Sequence, residues 1–423
     1  MLMKIVMTPV GSAGDVHPFI GIGRALVARG HEVVIMAAAP FRAAAERGGI
    51  RFVEALSTEE YDRVSAHPDL WHPRRGPRFV LGEVARSLES AYDLIAREYE
   101  PGRTLLIGHT LSFATRTFEE SHNAPAVTIH LAPTGLRSVH TIPAEDPARD
   151  LSRWPVWLKR AVWWVIDRTL IDPPIVPTLN RWRQEKGLPP VSRVFNGWLN
   201  SPQGVVALFP EWFGPRQPDW PANVQHAGFP RYDEADNVKL RPDLHEWVNA
   251  GDPPIVCTPG SAHREARDFF AAAADAARIV NRRALLLTRY GEQIPTSLPA
   301  GVRYEPYVPF SLLLPHSAAL VHHGGIGTCA QGLGAGIPQL TMPMGFDQPD
   351  NTARLMRLGV AGCVLPRDFS GARVAGELKR LLNDDAVARA CRKWAQRMHE
   401  GDPVAAACEA IERAGMTKVV RQA

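Results

Sequence analysis

Two adjacent histidines stand directly before a glycine-rich segment in the second half of the chain. The segment reads His322, His323, Gly324, Gly325, Ile326, Gly327 and Thr328. An apolar run at 317–321 predicts a buried strand before it, and 328–334 predicts a short helix after it. The first turn of a helix has unpaired N–H groups and about half a positive charge, and glycines let phosphate oxygens approach the backbone. The pattern predicts a diphosphate site; glycines kept only for the conformation of an ordinary strand-to-helix turn are the alternative.

A carboxylate and an amide follow the next predicted strand, at 339–342. Asp347 and Gln348 would lie with the glycine segment at the carboxyl ends of parallel strands, where ligands bind in sheets of this kind. A second loop of small residues follows the predicted strand at 254–258 and reads Thr258, Pro259, Gly260 and Ser261. Composition alone does not distinguish this second loop from an ordinary turn.

The first half of the chain holds a comparable loop, 11–18, whose one acidic residue is Asp15. Asp15 stands where a helix is predicted to begin, and aspartate caps helix N-termini well. That structural role is one interpretation. The other is a general base that removes a proton from a substrate hydroxyl, a contribution of about 10²–10⁴ in rate. His17 is the competing candidate for the base.

Length and composition are those of a globular protein with more than one core. At 423 residues, the chain exceeds what one core usually supports, which predicts two domains. A net charge of +4 is too small to indicate nucleic-acid binding. The five cysteines lie in the second half without metal-ligand spacing, so we expect reduced thiols. The N-terminus lacks a charged region before a long apolar run, which predicts a cytoplasmic protein with no signal peptide or spanning helix.

Strands and helices alternate along most of the sequence. Strands are predicted at 3–9, 32–36, 50–53, 104–107 and 126–130, with helices at 19–29, 40–47, 78–97 and 111–120. This alternation predicts an α/β fold with a doubly wound parallel sheet, and a second alternating run follows residue 254. We predict an N-terminal Rossmann-like domain at 1–214, a Pro- and Gly-rich linker at 215–236, a second Rossmann-like domain at 237–400 and a C-terminal helix at 401–423 that can pack back on the first domain.

Residues 151–186 differ in character, because Trp154, Trp157, Trp163 and Trp164 stand among aliphatic and basic residues. The spacing predicts one or two amphipathic helices. A helix packed on its own domain is one interpretation. A greasy substrate cleft that includes Trp154, or contact with the inner face of a membrane, is the other, since Trp with Lys and Arg is an interfacial composition. The charges exclude a transmembrane helix.

Taken in order, these motifs resemble the donor-site signature of GT-B glycosyltransferases of the family 1 type, which glycosylate antibiotics, sterols and lipids. The matching positions are His322, His323, Gly324, Gly325, Gly327, Thr328, Gly334, Gly336, Pro338, Gln339, Asp347, Gln348 and Asn351. The resemblance implies two Rossmann-like doubly wound domains that face each other across a cleft. It also implies inverting transfer of a hexose from a dTDP- or UDP-sugar to a hydroxyl of a hydrophobic small-molecule or lipid acceptor.

The resemblance implies roles for individual residues. Asp15 would be the catalytic base. His109 stands where plant-type relatives carry the aspartate partner of a histidine base, so that dyad is not expected, and we place His109 with Trp154 at the acceptor. His323 matches the phosphate-contacting histidine, with His322 behind it. Tyr307 and Val308 would hold the nucleotide base, with a core aromatic before a helix as the alternative for Tyr307. Asp347 and Gln348 would bind sugar hydroxyls, and further donor contacts are implied for Gly14, Thr258, Gly260, Ser261, Gly325, Gly327 and Thr328.

A narrower likeness runs through 201–213 and 218–230, which resemble the catalytic subunit of rhamnolipid-forming rhamnosyltransferases. That subfamily implies rhamnose from dTDP-rhamnose and a fatty-acid-derived acceptor, while many relatives with the same donor motif use UDP-glucose. We expect no cofactor and no metal, because helix N–H groups, histidine and hydroxyls can offset the diphosphate charge and no Asp-x-Asp motif is present. The oligomeric state is not indicated by the sequence.

Three other classes of protein share parts of this pattern. A nucleotide-sugar 2-epimerase has the same architecture but needs acid and base carboxylates near the sugar, where Asp347 stands alone. A non-catalytic partner of a transferase would have lost donor-site residues that this chain keeps. A dinucleotide dehydrogenase would need a Gly-x-Gly-x-x-Gly fingerprint, which the loop at 11–14 does not make.

Overall fold

A computed structural model of the protein describes residues 2–143, 146–149, 151, 153–235 and 238–422, with side chains up to Met416. The chain divides into two compact units. Unit 1 comprises Met1–Pro143, Asp150–Pro230 and Asp402–Ala423, and unit 2 comprises Ala144–Arg149 and Arg231–Gly401. The change of unit after Pro230 falls within the predicted linker at 215–236. The last residue of that linker and the first residue of the predicted second domain, 236 and 237, lie outside the described residues.

Seven strands form the sheet of unit 1: β1 (Lys4–Thr8), β2 (Glu32–Ala38), β3 (Arg51–Leu56), β4 (Thr104–His109), β5 (Ala126–His130), β6 (Val205–Ala207) and β7 (Val224–His226). Their order is β3-β2-β1-β4-β5-β6-β7, and all neighbours are parallel. The order reverses between β1 and β4, which makes these strands the topological switch point of unit 1. Strand β7 lies where the sequence predicts a linker, because its three residues are too short a run to stand out among Pro, Gly and Trp.

The helices of this part of the chain are α1 (Ala13–Ala28), α2 (Arg42–Arg47), α3 (Thr58–Ser65), α4 (Arg75–Arg86), α5 (Leu88–Glu98), α6 (Phe113–His122), α7 (Val156–Ile166) and α8 (Asp172–Glu185). Helix α1 begins six residues before the predicted start at 19. Pro18 lacks an N–H, but a reciprocal capping box between Ser12 and Asp15 holds the first turn. The helix predicted at 78–97 is divided at Ser87, whose hydroxyl donates to the Val84 carbonyl at 3.1 Å.

Six parallel strands form the sheet of unit 2: β8 (Ile255–Thr258), β9 (Ala284–Leu287), β10 (Val302–Glu305), β11 (Ala319–His322), β12 (Gln339–Thr341) and β13 (Ala361–Cys363). Their order is β10-β9-β8-β11-β12-β13. The helices are α9 (Pro242–Asn249), α10 (Arg267–Ile279), α11 (Phe310–Leu313), α12 (Ile326–Ala335), α13 (Gln348–Arg357), α14 (Gly371–Asn383) and α15 (Asp385–Met398). The switch point lies between β8 and β11. Two doubly wound parallel sheets confirm the predicted fold class.

The last helix, α16 (Pro403–Gln422), packs on unit 1. Its Glu412 carboxylate accepts hydrogen bonds from Arg29 at 2.9 Å and pairs with His31 at 3.0 Å. Gly415 lies against Met3, because a Cβ there would be 2.8 Å from the Met3 sulfur. Among the helices that the structure describes, none combines the length and apolar character needed to cross a membrane.

Candidate functional site

The two glycine loops of unit 2 leave the sheet side by side. Thr258 at the end of β8 pairs in register with His322 at the end of β11, and these are the strands of the switch point. The loop after Thr258 and the loop after His322 therefore begin at the same edge of the sheet. This is the edge at which ligands bind in open α/β sheets.

His322 positions the loop that follows it. The side chain is fully buried, Nε2 lies 2.9 Å from Gln339 Oε1, and the Gly324 N–H donates to Nδ1 at 3.1 Å. Because Nδ1 accepts, the ring proton lies on Nε2. Burial lowers the pKa of His322 to about 4, so the ring is neutral at pH 7. Both ring nitrogens are occupied by protein groups, which leaves His322 no donor for a ligand.

His323 lies between the two loops. A Cβ on Gly260 would be 2.7 Å from His323 Cε1, and a Cβ on Gly325 would be 2.4 Å from His323 Nε2. His323 as a residue is half-buried, whereas its Nδ1 is buried and has no hydrogen-bond partner among the described residues. Burial, and then the neighbouring His322, lowers the pKa of His323 to about 3. A neutral imidazole with unused hydrogen-bonding capacity thus lies where the sequence predicts the phosphate contact.

The first turn of α12 is the predicted anion site. Gly325 is the N-cap, and Gly327 is exposed; apart from its chain neighbours and the backbone of its own helix, no described heavy atom lies within 4 Å of the position a Cβ would take. Thr328 is half-buried in the same turn. A helix of this length carries a partial positive charge at this end, and the open backbone at Gly327 leaves room for an anion.

Asp347 also lies at this helix terminus. Its carboxylate accepts hydrogen bonds from the Ile326 N–H and from Asn351 Nδ2, the latter at 2.7 Å. Burial raises the pKa of Asp347 to about 6, and these hydrogen bonds oppose the rise. The Asp347 carboxylate thus lies at the same helix terminus as the predicted diphosphate site, and its sugar-binding role stays a prediction.

The side-chain amide of Gln348, predicted to bind a sugar hydroxyl, is engaged within the protein through its oxygen. Its Oε1 accepts hydrogen bonds from the Met344 N–H at 2.8 Å and the Gly345 N–H at 3.3 Å, and the side chain is buried. The carbonyl of Gln348 therefore shapes the turn before α13. Two neighbours on α13 that the site prediction left out carry buried polar atoms without hydrogen-bond partners among the described residues: Asn351 Oδ1 and Thr352 Oγ1. The helical spacing from Asp347 to Asn351 was the available signal.

The second phosphate loop contains one backbone position that requires glycine. Gly260 has a φ of +98°, and its N–H donates to Thr258 Oγ1 at 3.3 Å. The Thr258 hydroxyl is thus used within the loop, whereas Ser261 is exposed. Of the predicted hydroxyl contacts in this loop, Ser261 is the one placed at the surface.

Tyr307 follows β10 at the same edge of the sheet and is 43% exposed, so it is not a core aromatic. Its hydroxyl donates to the Asp233 carbonyl at 2.6 Å, and the Arg289 guanidinium lies 5.2 Å from the ring centroid. Val308 is buried in the apolar core of unit 2 and supports the segment from within. Tyr307 can therefore present a ring face to a ligand, while Val308 can offer it only backbone groups.

In unit 1, the switch point brings Asp15 and His109 together. Asp15 Oδ2 accepts hydrogen bonds from the Ser12 N–H at 2.7 Å and the Ser12 hydroxyl at 3.2 Å, and Oδ1 lies 3.9 Å from His109 Nε2. The Leu111 N–H donates to His109 Nδ1 at 3.3 Å, which places the ring proton on Nε2, facing Asp15. Burial lowers the pKa of His109 to about 3, so it is a neutral N–H group beside the carboxylate.

The other predicted residues of unit 1 are His17, Gly14 and Trp154. The ring of His17 lies edge-on to Phe41, with 6.1 Å between centroids. Gly14 is exposed in the first turn of α1, and a Cβ there would meet only Ser12 Oγ, at 3.8 Å. Trp154 is 40% exposed. In the described part of the chain, no group of three or more His, Cys, Asp or Glu side chains could hold a metal ion.

Comparisons with known proteins agree with this geometry. Residues 5–94 match the glycosyltransferase family 28 N-terminal domain, and residues 282–411 match the C-terminal domain of erythromycin biosynthesis protein CIII-like proteins. The chain is 29% identical to O-mycaminosyltylonolide 6-deoxyallosyltransferase of Streptomyces fradiae, over 98% of each chain. It is 26% identical to a sterol 3-beta-glucosyltransferase of Arabidopsis thaliana, over 97% of this chain and 65% of that protein.

The fold matches the glycosyltransferase of kitacinnamycin with a TM-score of 0.74 at 20% identity, over 98% of this chain and 99% of that one. Two switch-point sites on two parallel sheets define the architecture of GT-B glycosyltransferases. The chain belongs to the family 1 type of these enzymes, with relatives that act in antibiotic and sterol glycosylation. Homologues and matched domains are glycosyltransferases, which favours this class over the epimerase and the non-catalytic partner.

Proposed function

We propose that the chain transfers a hexose, rhamnose or glucose, from a dTDP- or UDP-sugar to a hydroxyl of a hydrophobic small molecule or lipid, with inversion at the anomeric carbon. The observation that carries the proposal is the position of His323 between the two glycine loops at the switch point of unit 2. A diphosphate at this point would meet the imidazole, the Ser261 and Thr328 hydroxyls and the first turn of α12.

The chemical task of unit 2 is to stabilise the leaving group. When the bond between the anomeric carbon and the diphosphate oxygen breaks, its electron pair stays on that oxygen. Donors that are already oriented toward the developing charge lower the barrier, because they need no reorganisation during the reaction. A neutral His323, held by Gly260 and Gly325, and the N-terminus of α12 supply such donors, and the proposal requires no metal.

The chemical task of unit 1 is to activate the acceptor. Asp15 would take the proton of the acceptor hydroxyl, whose oxygen then attacks the anomeric carbon from the face opposite the diphosphate. Ser12 fixes Oδ2, and the His109 N–H faces Oδ1, so the carboxylate has a defined orientation. Because His109 is neutral, it can orient the carboxylate without supplying a positive charge that would weaken the base.

The test is a titration of the purified protein with dTDP, UDP, dTDP-rhamnose and UDP-glucose by calorimetry, with a chelator present. We expect at least one nucleotide to bind, and His323→Ala to weaken that binding about 10–100-fold through loss of a hydrogen bond to a charged group. His316→Ala, an exposed histidine of the same unit, is the matched control. A folded wild-type protein that binds none of the four, or equal binding by His323→Ala, contradicts the donor site. The anomeric configuration of the product, read by NMR, tests inversion.

A further inference from the structure

The exposed face of α7 carries large apolar side chains, although polar groups are among those that anchor its opposite face. Ten large apolar side chains are exposed in the described part of the chain, and five of them lie within 154–165. They are Trp154, Val156, Trp157, Trp164 and Val165, with Trp157 69% exposed and Trp164 51% exposed. Such a concentration marks an interaction surface, since single exposed apolar residues are ordinary but a contiguous patch is not.

Helical spacing makes this patch continuous. Residues 156, 157, 160, 161, 164, 165 and 168 are exposed, and they recur at intervals of four along α7 and the π-helical turn Asp167–Ile171. Residues four apart on a helix are neighbours on one face. We name this face, Val156 to Arg168 at these positions, the outer face of α7.

Contacts on the opposite side fix the orientation of the helix. Lys159 is 3% exposed and donates to the His140 carbonyl at 3.0 Å, and Trp163 Nε1 donates to the Ser138 carbonyl at 2.9 Å. Asp167 is fully buried and paired with Arg137 and Arg193. Rotating α7 to hide Trp157 and Trp164 would expose these contacts and break them. The protein therefore holds the tryptophans outward at the cost of burying a lysine and an aspartate.

The charges on the outer face have one sign. Arg160 and Arg168 are exposed on it, and Arg153 is exposed just before the helix. Helix α7 itself contains no acidic residue. The Arg168 guanidinium lies 5.7 Å from the Trp164 ring centroid, so a cation and an indole share one position on the face. Tryptophan settles at the boundary between headgroups and acyl chains, and arginine binds headgroup phosphates.

We propose that the outer face of α7 docks on an anionic lipid surface, with Trp157 and Trp164 in the headgroup boundary and Arg160 and Arg168 against lipid phosphates. An 11-residue helix parallel to the surface suits this arrangement, which is that of an interfacial helix. A protein partner is the rival occupant, and one-sided positive charge without acidic or amide groups on the helix favours the lipid. The proposal stands independently of the sugar-transfer reaction.

The experiment is co-sedimentation of the full chain with vesicles of phosphatidylcholine alone and of phosphatidylcholine mixed in equal parts with phosphatidylglycerol. We expect binding to the mixed vesicles, a blue shift of tryptophan fluorescence, and loss of binding at high salt. The double variant Arg160→Gln/Arg168→Gln is expected to bind the mixed vesicles about 30-fold more weakly. Trp157→Ser/Trp164→Ser is expected to abolish both the binding and the blue shift.

Val238→Ser is the matched control, because Val238 is an apolar residue of unit 2 with 48% exposure. Thermal denaturation of each variant verifies that it is folded. Three results would overturn the proposal: a wild-type protein that stays in the supernatant with mixed vesicles at low salt, equal binding to both kinds of vesicle, or wild-type binding by the tryptophan variant. Failure here leaves nucleotide binding by unit 2 unaffected, so it is distinguishable from failure of the proposed transferase activity.

Discussion

The imidazole of His323 fills the space that a side chain at Gly260 would need. A Cβ on Gly260 would lie 2.7 Å from Cε1 and 2.9 Å from Nε2 of that ring. The loop after β8 thus acts as one wall of the slot that holds the histidine, and Gly325 is the other. The two glycine loops are therefore a single structure, and a change in one loop moves a side chain that belongs to the other.

Gly260→Ala tests this coupling. The new methyl group must displace His323, and the φ of +98° strains any residue with a Cβ, so we expect a loss of about 1–3 kcal/mol in the free energy of unfolding. Nucleotide affinity, measured by calorimetry, should fall as well. Gly376→Ala is the control, because Gly376 lies within α14 and a Cβ there would meet no described atom within 4 Å beyond its chain neighbours and its own helix backbone. That variant should be neutral or stabilising by up to about 1 kcal/mol. Equal stability of the two variants would argue against the slot.

Substitution of the two adjacent histidines should have different effects. His322→Ala leaves the Gln339 Oε1 and the Gly324 N–H buried without partners, which we expect to cost about 2–4 kcal/mol in urea denaturation. His323→Ala removes a ring whose Nδ1 has no partner in the described residues, so its stability cost should be smaller and its effect on nucleotide binding larger. If His323→Ala instead cost more stability and His322→Ala weakened nucleotide binding more, the roles assigned to the two histidines would be wrong.

Asp15 has two roles that substitutions can separate. Asp15→Asn keeps an oxygen that accepts from the Ser12 N–H but removes the base, so kcat should fall about 10²–10⁴-fold with little change in Tm. Ser12→Ala removes the N-cap hydroxyl and leaves the carboxylate, so it should lower stability by about 0.5–2 kcal/mol while most of the rate remains. If Asp15→Asn kept a near-full rate of sugar transfer, the base would be another residue, and His17 would be the next to test.

The partly buried carboxylate of Asp347 makes the stability of unit 2 depend on pH. Burial raises its pKa from 3.8 to about 6, so the folded chain holds this proton more tightly than the unfolded chain does. Ionisation of Asp347 therefore lowers the free energy of unfolding. This loss is complete above about pH 6 and absent below the ordinary pKa of aspartate. Asp347→Asn is uncharged at every pH and should stabilise the protein by about 1–3 kcal/mol at pH 8, a gain that disappears toward pH 4. Thermal melts of both proteins across this range are the measurement, and a gain that does not vary with pH would contradict the assigned cause.

The sequence was sufficient for the strands of both sheets that are long apolar runs, because strands buried on both faces have that composition. It failed at β7, where three residues between turn-forming neighbours make no pattern, and at the start of α1, where Pro18 resembles a helix breaker. Strand β6 was missed as well, although it belongs to the apolar run 205–209. Motifs identified both glycine loops. They did not reveal that Gln339 forms a hydrogen bond with His322, or that Asp347 accepts a hydrogen bond from the Ile326 N–H. These contacts depend on how distant segments meet at the edge of the sheet.

The return of α16 to unit 1 determines how this chain can be recombined with its relatives. The polypeptide passes from unit 1 to unit 2 after Pro230 and comes back after Gly401, apart from the short segment Ala144–Arg149. A chimera that exchanges unit 2 must therefore be spliced at both places. A single crossover near residue 230 would supply a foreign α16, whose counterparts of Glu412 and Gly415 must then match Arg29, His31 and Met3 of the recipient. Exchanging unit 2 to change specificity therefore requires two junctions in the chain, one near residue 230 and one near residue 401.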